Sequence, residues 1–113
     1  MKLQLIWNKN GSEFKLGILE KKDNEYIFKI DENELKLAIK KGCIGIGTFD
    51  LLNIEYKSQE LFSFFKNRIP DKNNINIKET LLMYNLKEYD EMELLKLTKA
   101  ELATDNYYVI EIE

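Results

Sequence analysis

The sequence contains no histidine, a single cysteine, a single proline and a single arginine among its 113 residues. Without histidine the chain has neither a Ser-His-Asp nor a Cys-His nucleophile system, and no imidazole ligand for a metal. Its one cysteine, Cys43, forms no internal disulfide and is too little for a thiolate zinc site, so we expect a reducing, cytoplasmic compartment. Any enzyme chemistry is therefore left mainly to carboxylates, lysines and tyrosines.

The sequence also lacks a strong charge of one sign. Lysine and arginine number 17 and aspartate and glutamate 20, which leaves a net charge of −3. Nucleic-acid-binding proteins carry a surplus of cations for phosphate contacts, so direct binding to nucleic acid is not expected. No apolar run approaches the roughly 20 residues of a bilayer span, and the N-terminal residues lack the apolar stretch of a signal peptide, so no membrane association is expected.

What the sequence does contain is typical of a folded domain. An apolar fraction of 44% and an aromatic fraction of 12% are sufficient to form a buried core. The length corresponds to one domain, and no linker or internal repeat divides it. We therefore expect a single domain over residues 1–113.

Alternating apolar and polar residues predict three antiparallel strands at about 2–8, 13–20 and 25–30, joined by turns of Asn, Asp, Lys and Gly. Ile6 interrupts the alternation, which indicates burial on the second face of the first strand. A further strand is predicted around Tyr107, Val109 and Ile112 near the C-terminus. Residues 43–49 are predicted to be extended, and residues 50–56 to form a loop or a short edge strand.

Helix starts are predicted where Asp or Asn is followed three residues later by Glu, because both side chains then satisfy backbone N–H groups of the first turn. The pattern occurs at Asp31–Glu34, Asn76–Glu79 and Asp90–Glu93. Gly42 ends the first helix, and Ser58 is predicted to cap one more helix that ends before Pro70. The fold class is therefore α+β: an antiparallel sheet of four or five strands with three or four short helices packed on one side.

For each group that could bind phosphate or take part in catalysis, the sequence favours a structural role over a chemical one. Gly42, Gly45 and Gly47 match neither the dinucleotide-binding nor the P-loop spacing and precede a strand-like run, so a helix stop and a kinked strand are favoured over a phosphate site. Paired carboxylates such as Glu32 with Glu34, Asp90 with Glu91 and Glu93, or Glu111 with Glu113 lie on caps and strand ends, where they serve the helix dipole or solubility. We predict no catalytic residue, no metal site and no cofactor.

Two further features are weighed between core and function. Cys43 follows a helix C-terminus and has no nearby base, so a buried structural thiol is favoured over a nucleophile. The cluster Phe62-Ser63-Phe64-Phe65 is wider than one helix face, which fits either central burial or a partner anchor, with core favoured. Phe64 and Arg68, one turn apart, are the preferred exposed pair.

Three segments, taken in order, carry a family resemblance. They are the strand–turn–strand run from Leu5 to Ile30, the run L-F-S-F-F-K-N-R-I-P over 61–70, and D-E-M-E-L-L over 90–95. In this order the chain resembles the small N-terminal subdomain of HipA-type serine/threonine kinases, with its L-x-x-F-F-x-N-x-x-P and D-x-F-x-L-L helices. Residues 42–49 replace that family's Pro-Leu-Ser strand and 99–106 its terminal G-x-D-x-x-G-A, so the chain looks more like the variant found before HIRAN domains in bacteria.

The resemblance implies a non-catalytic module, because the nucleotide loop and catalytic Asp of the kinase lie outside this subdomain. It implies a partner, either a HipA-type kinase toxin that the chain engages and restrains as an antitoxin or a protein that contains a helix-turn-helix. Our docking hypothesis consists of Phe64, Asn67 and Arg68, with Trp7 and Gly17 shaping the sheet edge.

The alternative from another class is an accessory nucleic-acid-binding module or a truncated HIRAN-associated protein, which would use a local patch of Lys36, Lys40 and Lys41. An independent enzyme is the third alternative. It would require a cleft that holds a carboxylate of raised pKa.

Overall fold

The computed structural model describes residues 1–49 and 53–112. The strands are β1 (Lys2–Lys9), β2 (Ser12–Lys22), β3 (Glu25–Ile30), β4 (Glu55–Ser58) and β5 (Tyr107–Ile112). The helices are α1 (Glu32–Lys40), α2 (Ser63–Lys66), α3 (Ile77–Met83) and α4 (Glu91–Thr98). The strands form one antiparallel sheet in the order β4-β3-β2-β1-β5. The predicted α+β fold of an antiparallel sheet with short helices is confirmed.

The first three strands form a meander because the chain supplies the right turn residues between them. Asp23 and Asn24 both have positive φ, +52° and +63°, in the two-residue turn between β2 and β3. Asn10 and Gly11 do the same between β1 and β2, with φ of +51° and +89°. Such turns match the twist of antiparallel strands, and Asn, Asp and Gly are the residues that tolerate them.

One face of the sheet forms the core. Leu3, Leu5 and Trp7 alternate along β1 and join a buried cluster with residues from the other strands. Three helices contribute buried side chains to the same cluster, namely Leu35 and Ala38 from α1, Phe65 from α2, and Met92 and Leu95 from α4. In contrast, α3 contains no buried residue.

Ile6 lies at an alternate position of β1, so it belongs to the other face of the sheet. It is nevertheless only 2% exposed, which confirms the predicted burial on that second face. It pairs with Lys15 on β2 and with Tyr108 on β5. A shift of register between Leu5 and Ile6 leaves an extra residue on β2 at this point.

The prediction of a helix capped by Ser58 was wrong. Ser58 is the last residue of β4 and pairs with Tyr26, and α2 does not begin until Ser63, with Phe62 at the N-cap position. The backbone around residue 58 is used by the sheet, so a helix cannot start there. Residues 55–58 thus supply the edge strand considered for 50–56, while residues 50–52 lie outside the described residues.

The extended segment predicted at 43–49 was also wrong, because it forms an irregular loop with a single bridge between Ile46 and Phe49. Gly42 does follow the end of α1 with a φ of +111°, as expected for a residue that stops a helix. Within residues 1–49 and 53–112, no helix combines the length and apolar character needed to cross a bilayer.

Candidate interaction site

The residues predicted to dock a partner from the 60–70 segment lie on α2 and just after it. Asn67 is exposed at the C-terminal end of the helix, and Phe64 is half-buried. Arg68 is only 8% exposed. The expectation that Phe64 and Arg68 form an exposed pair was therefore wrong, and of these three residues only Asn67 is fully accessible.

Arg68 is buried, and its guanidinium has both hydrogen-bond acceptors and aromatic rings around it. Its guanidinium donates to both carboxylate oxygens of Asp105, at 3.2 and 2.5 Å, and to the carbonyl oxygen of Ala100 at 2.9 Å. The rings of Phe64 and Tyr107 lie 4.5 and 5.1 Å from its central carbon. We call these five residues the Arg68 clasp. A bidentate ion pair between two aromatic rings suits the planar fork of arginine and not the point charge of lysine.

Tyr107 connects this clasp to the loop after α1, which contains Gly42, Gly45 and Gly47. Its hydroxyl donates to the carbonyl oxygen of Gly45 and lies 3.5 Å from the sulfur of Cys43. Burial raises the pKa of Tyr107, and its hydrogen bond with Cys43 adds to that effect. Cys43 is itself buried, as expected for a structural thiol.

The glycines of this loop serve packing. Gly47 has a φ of +52°, and a Cβ placed on it would lie 3.1 Å from the ring of Phe64. The predicted helix stop therefore holds for Gly42, where α1 ends, whereas Gly47 lies in a turn that packs against Phe64. The kinked strand that was expected to follow is a turn instead.

Trp7 and Gly17 do not lie at a sheet edge, so that part of the docking hypothesis was wrong. The edges are β4 and β5, whereas Trp7 lies in β1 and Gly17 in β2, two of the three interior strands. Trp7 is buried and its ring lies 5.7 Å from that of Phe14. A Cβ on Gly17 would approach the carbonyl oxygen of Lys29 to 2.6 Å, so this glycine permits close packing of β2 on β3.

Many carboxylates in the described residues cap helices or accept hydrogen bonds and ion pairs from other side chains. Asp31 and Asp90 each accept a hydrogen bond at 3.1 Å from the backbone N–H three residues on, which confirms two of the predicted N-caps. Asn76 lies at the N-cap of α3 but makes no capping bond through its side chain. In the part of the chain that is described, no three side chains of His, Cys, Asp or Glu are grouped to hold a metal ion. Glu113 lies outside that part.

Glu91, in the first turn of α4, links that helix to the sheet. It accepts a hydrogen bond from the Tyr26 hydroxyl at 2.7 Å, which joins the start of α4 to β3. Burial raises the pKa of Tyr26, and this bond to a carboxylate raises it further. The phenol is therefore a neutral donor at physiological pH.

Three highly exposed apolar residues on and just before α3 were not predicted from the sequence. Ile75, Leu82 and Met83 are 95%, 76% and 69% exposed. We call these three residues the α3 surface. One pattern could have revealed it: Leu81, Leu82 and Met83 are consecutive, and three consecutive residues of a helix cannot all face the same core.

The α3 surface is held in place at both ends. Asn85, with a φ of +57°, ends the helix, and the N–H groups of Asn85 and Leu86 donate to the carbonyls of Leu82 and Leu81. The Tyr89 hydroxyl donates at 2.6 Å to the carbonyl of Pro70, so the chain that leaves the core at residue 70 returns beside it. The exposed side chains are thus carried by a segment with defined ends.

A scan against models of protein families finds no match to this chain. A search of curated proteins likewise finds no similar sequence. The resemblance to the N-terminal subdomain of HipA-type kinases therefore stays a prediction, which rests on the sequence motifs.

Proposed function

We propose that this chain is a non-catalytic protein-binding module that engages and restrains a HipA-type serine/threonine kinase. The observation that carries the proposal is the α3 surface, with Leu82 and Met83 in solvent on a helix that has no buried residue and Ile75 in solvent just before that helix. Large apolar side chains exposed along one ordered segment favour contact with another macromolecule. This surface replaces the earlier docking hypothesis, most of whose residues are buried.

The energetics of docking are favourable on this surface. Burying one Leu, Ile or Met side chain contributes roughly 1.5–3 kcal/mol, and three such side chains are available. The turn at Asn85 and the Tyr89–Pro70 hydrogen bond already order the segment. Less conformational entropy is therefore lost on binding than if the segment ordered only in the complex.

The class of partner comes from the sequence resemblance. The motifs over 61–70 and 90–95 flank the α3 segment on both sides. The chain would then act by contact with the kinase, since it has no histidine and its one cysteine is buried against Tyr107.

The test is to mix the purified chain with the kinase encoded by the neighbouring gene and to apply size-exclusion chromatography at micromolar concentration. We expect one co-eluting peak with the unmodified chain and two peaks with the Leu82→Glu, Met83→Glu double variant. The matched control is Ile54→Glu, an apolar-to-acidic change at a residue that is 55% exposed elsewhere on the surface. Two separate peaks with the unmodified chain would contradict the proposal.

The restraining effect needs its own measurement. Phosphate transfer by the kinase should fall when the unmodified chain is added and recover with the double variant. A complex that forms without any change in kinase activity would leave a binding module but contradict the restraining role.

A further inference from the structure

A second candidate binding surface lies beside the hairpin of β1 and β2. A cavity of about 210 Å³ opens between the β1–β2 hairpin and the C-terminal end of α1. It is lined by Lys9, Asn10, Ser12, Phe14 and Lys41. We call it the hairpin groove.

The groove is built by contacts between its two walls. The ammonium group of Lys9 donates at 2.6 Å to the carbonyl oxygen of Lys41, across the gap between the hairpin and the helix end. Gly42 leaves room for this contact, because a Cβ at that position would lie 3.1 Å from the same ammonium nitrogen, closer than most Cβ contacts. The Lys9 ammonium has three donors, so the bond to Lys41 leaves others for a ligand.

The lining combines positive charge with an apolar floor. Two of its residues carry ammonium groups and none carries a carboxylate. Phe14, half-buried against Trp7, supplies an aromatic surface. Leu37 is exposed one helical turn before Lys41, and Lys40 is exposed next to Lys41. The combination of apolar surface and positive charge therefore continues along the end of α1.

We propose that the hairpin groove binds an acidic peptide segment of a partner protein. A carboxylate of the peptide pairs with Lys9 and Lys41, and a neighbouring apolar side chain of the peptide packs on Phe14. Charge complementarity selects an acidic occupant. The volume is below the roughly 300 Å³ at which pockets for drug-sized ligands begin, so it suits a side chain better than a whole small molecule.

The same features favour a peptide over single-stranded nucleic acid. Sites for nucleic acid follow the backbone over about four or more nucleotides with a row of cations and stacking rings. The groove has two lining cations and one ring. It is also separate from the α3 surface, so the inference adds a contact and does not depend on the proposed function.

The test uses fluorescence anisotropy with a labelled peptide of glutamates around a single leucine. The matched probe has glutamine in place of every glutamate. We expect the unmodified chain to prefer the acidic peptide, and the Lys9→Glu, Lys41→Glu variant to bind it roughly tenfold more weakly or worse. The control Lys22→Glu, Lys57→Glu changes the net charge equally at exposed lysines of β2 and β4, outside the groove, and should keep the affinity.

Lys9 also contacts backbone, so the groove variant needs a check that does not depend on its folding. Titrating the acidic peptide into the unmodified chain should shift the amide NMR signals of Asn10, Ser12 and Lys41. Equal weakening in both lysine pairs, equal binding of the glutamine peptide, or no shift of these amides would overturn the proposal. Tighter binding of oligothymidylate at the same amides would overturn it in favour of nucleic acid.

This experiment is independent of the kinase complex. The Leu82→Glu, Met83→Glu variant should bind the acidic peptide like the unmodified chain. With the unmodified chain, absence of the kinase complex beside intact peptide binding would count against the proposed function alone, and a kinase complex without peptide binding would count against the groove alone.

Discussion

The Arg68 clasp and the α3 surface are opposite in physical character, although Arg68 itself precedes the α3 surface by only a few residues in the sequence. In the clasp, a charged residue is buried, paired with Asp105 and enclosed by the rings of Phe64 and Tyr107. On the α3 surface, large apolar residues are exposed to water on and just before a helix that has no fully buried residue. The comparison teaches that residue type alone does not tell which part of this chain stabilises the fold and which is free to bind. The arginine stabilises, and the leucine and methionine are available for binding.

The largest effect is expected at the clasp. Arg68→Ala removes the guanidinium donor from the Ala100 carbonyl and from the Asp105 carboxylate, which keeps the backbone N–H of Tyr107, and it should lower the free energy of unfolding by about 3 kcal/mol. Urea denaturation followed by circular dichroism measures this. The control Lys66→Ala, at an exposed neighbour, should change stability by less than about 0.5 kcal/mol. Equal effects of the two substitutions would remove the distinction between clasp and surface.

A smaller effect is expected inside the sheet, at the contact between β2 and β3. Gly17→Ala places a methyl group 2.6 Å from the Lys29 carbonyl oxygen and 2.9 Å from the Phe28 ring, and it should destabilise by about 1–3 kcal/mol through overpacking. Gly11→Ala separates packing from backbone strain, because nothing lies within 4 Å of its added methyl group while its φ is +89°. Thermal melts of both variants should show the larger loss at Gly17. A smaller loss at Gly17 than at Gly11 would mean that β2 and β3 separate easily.

The N-caps of α4 and α3 allow a comparison in which a smaller loss of stability is expected. Asp90→Ala removes a capping hydrogen bond from α4 and should cost about 1 kcal/mol, whereas Asn76→Ala at α3 removes none. The expected difference in urea midpoint between the two variants measures the cap directly. Similar losses at both positions would show that Asn76 caps α3 in solution.

The smallest effect on stability is expected on the α3 surface. Leu82→Ser and Met83→Ser exchange exposed apolar groups for polar ones, so each should change the unfolding free energy by less than about 0.5 kcal/mol. The same variants should weaken binding to the kinase. A large loss of stability would place these side chains in a core and would contradict the proposed docking surface.

Much of the fold was predictable because it depends on neighbours in sequence. The alternation around Leu3, Leu5 and Trp7, the turn residues Asp23 and Asn24, and the acidic N-cap Asp90 act over a few residues. The structure confirms the strands, the turns and the caps at Asp31 and Asp90. Ser58 failed as a cap because its backbone pairs with β3, a strand some thirty residues away.

The candidate site was less predictable, since exposure depends on what packs across from a residue. The sequence predicts an exposed helix position for Arg68, yet this residue follows α2 in a turn, where Asp105 and Tyr107, far along the chain, bury it. One indication was present: a chain that uses lysine for every other basic position keeps a single arginine, and burial against a carboxylate and rings is where a guanidinium cannot be replaced.

The sequence by itself determined the order of strands and turns, the class of fold and the scarcity of nucleophiles, because these follow from local patterns and composition. Only the tertiary structure decided that Arg68 is enclosed, that Trp7 and Gly17 are interior to the sheet, and that Ile75, Leu82 and Met83 are in solvent. The physical reason is that burial is set by contacts between segments distant in sequence. Local patterns do not specify which of those segments meet.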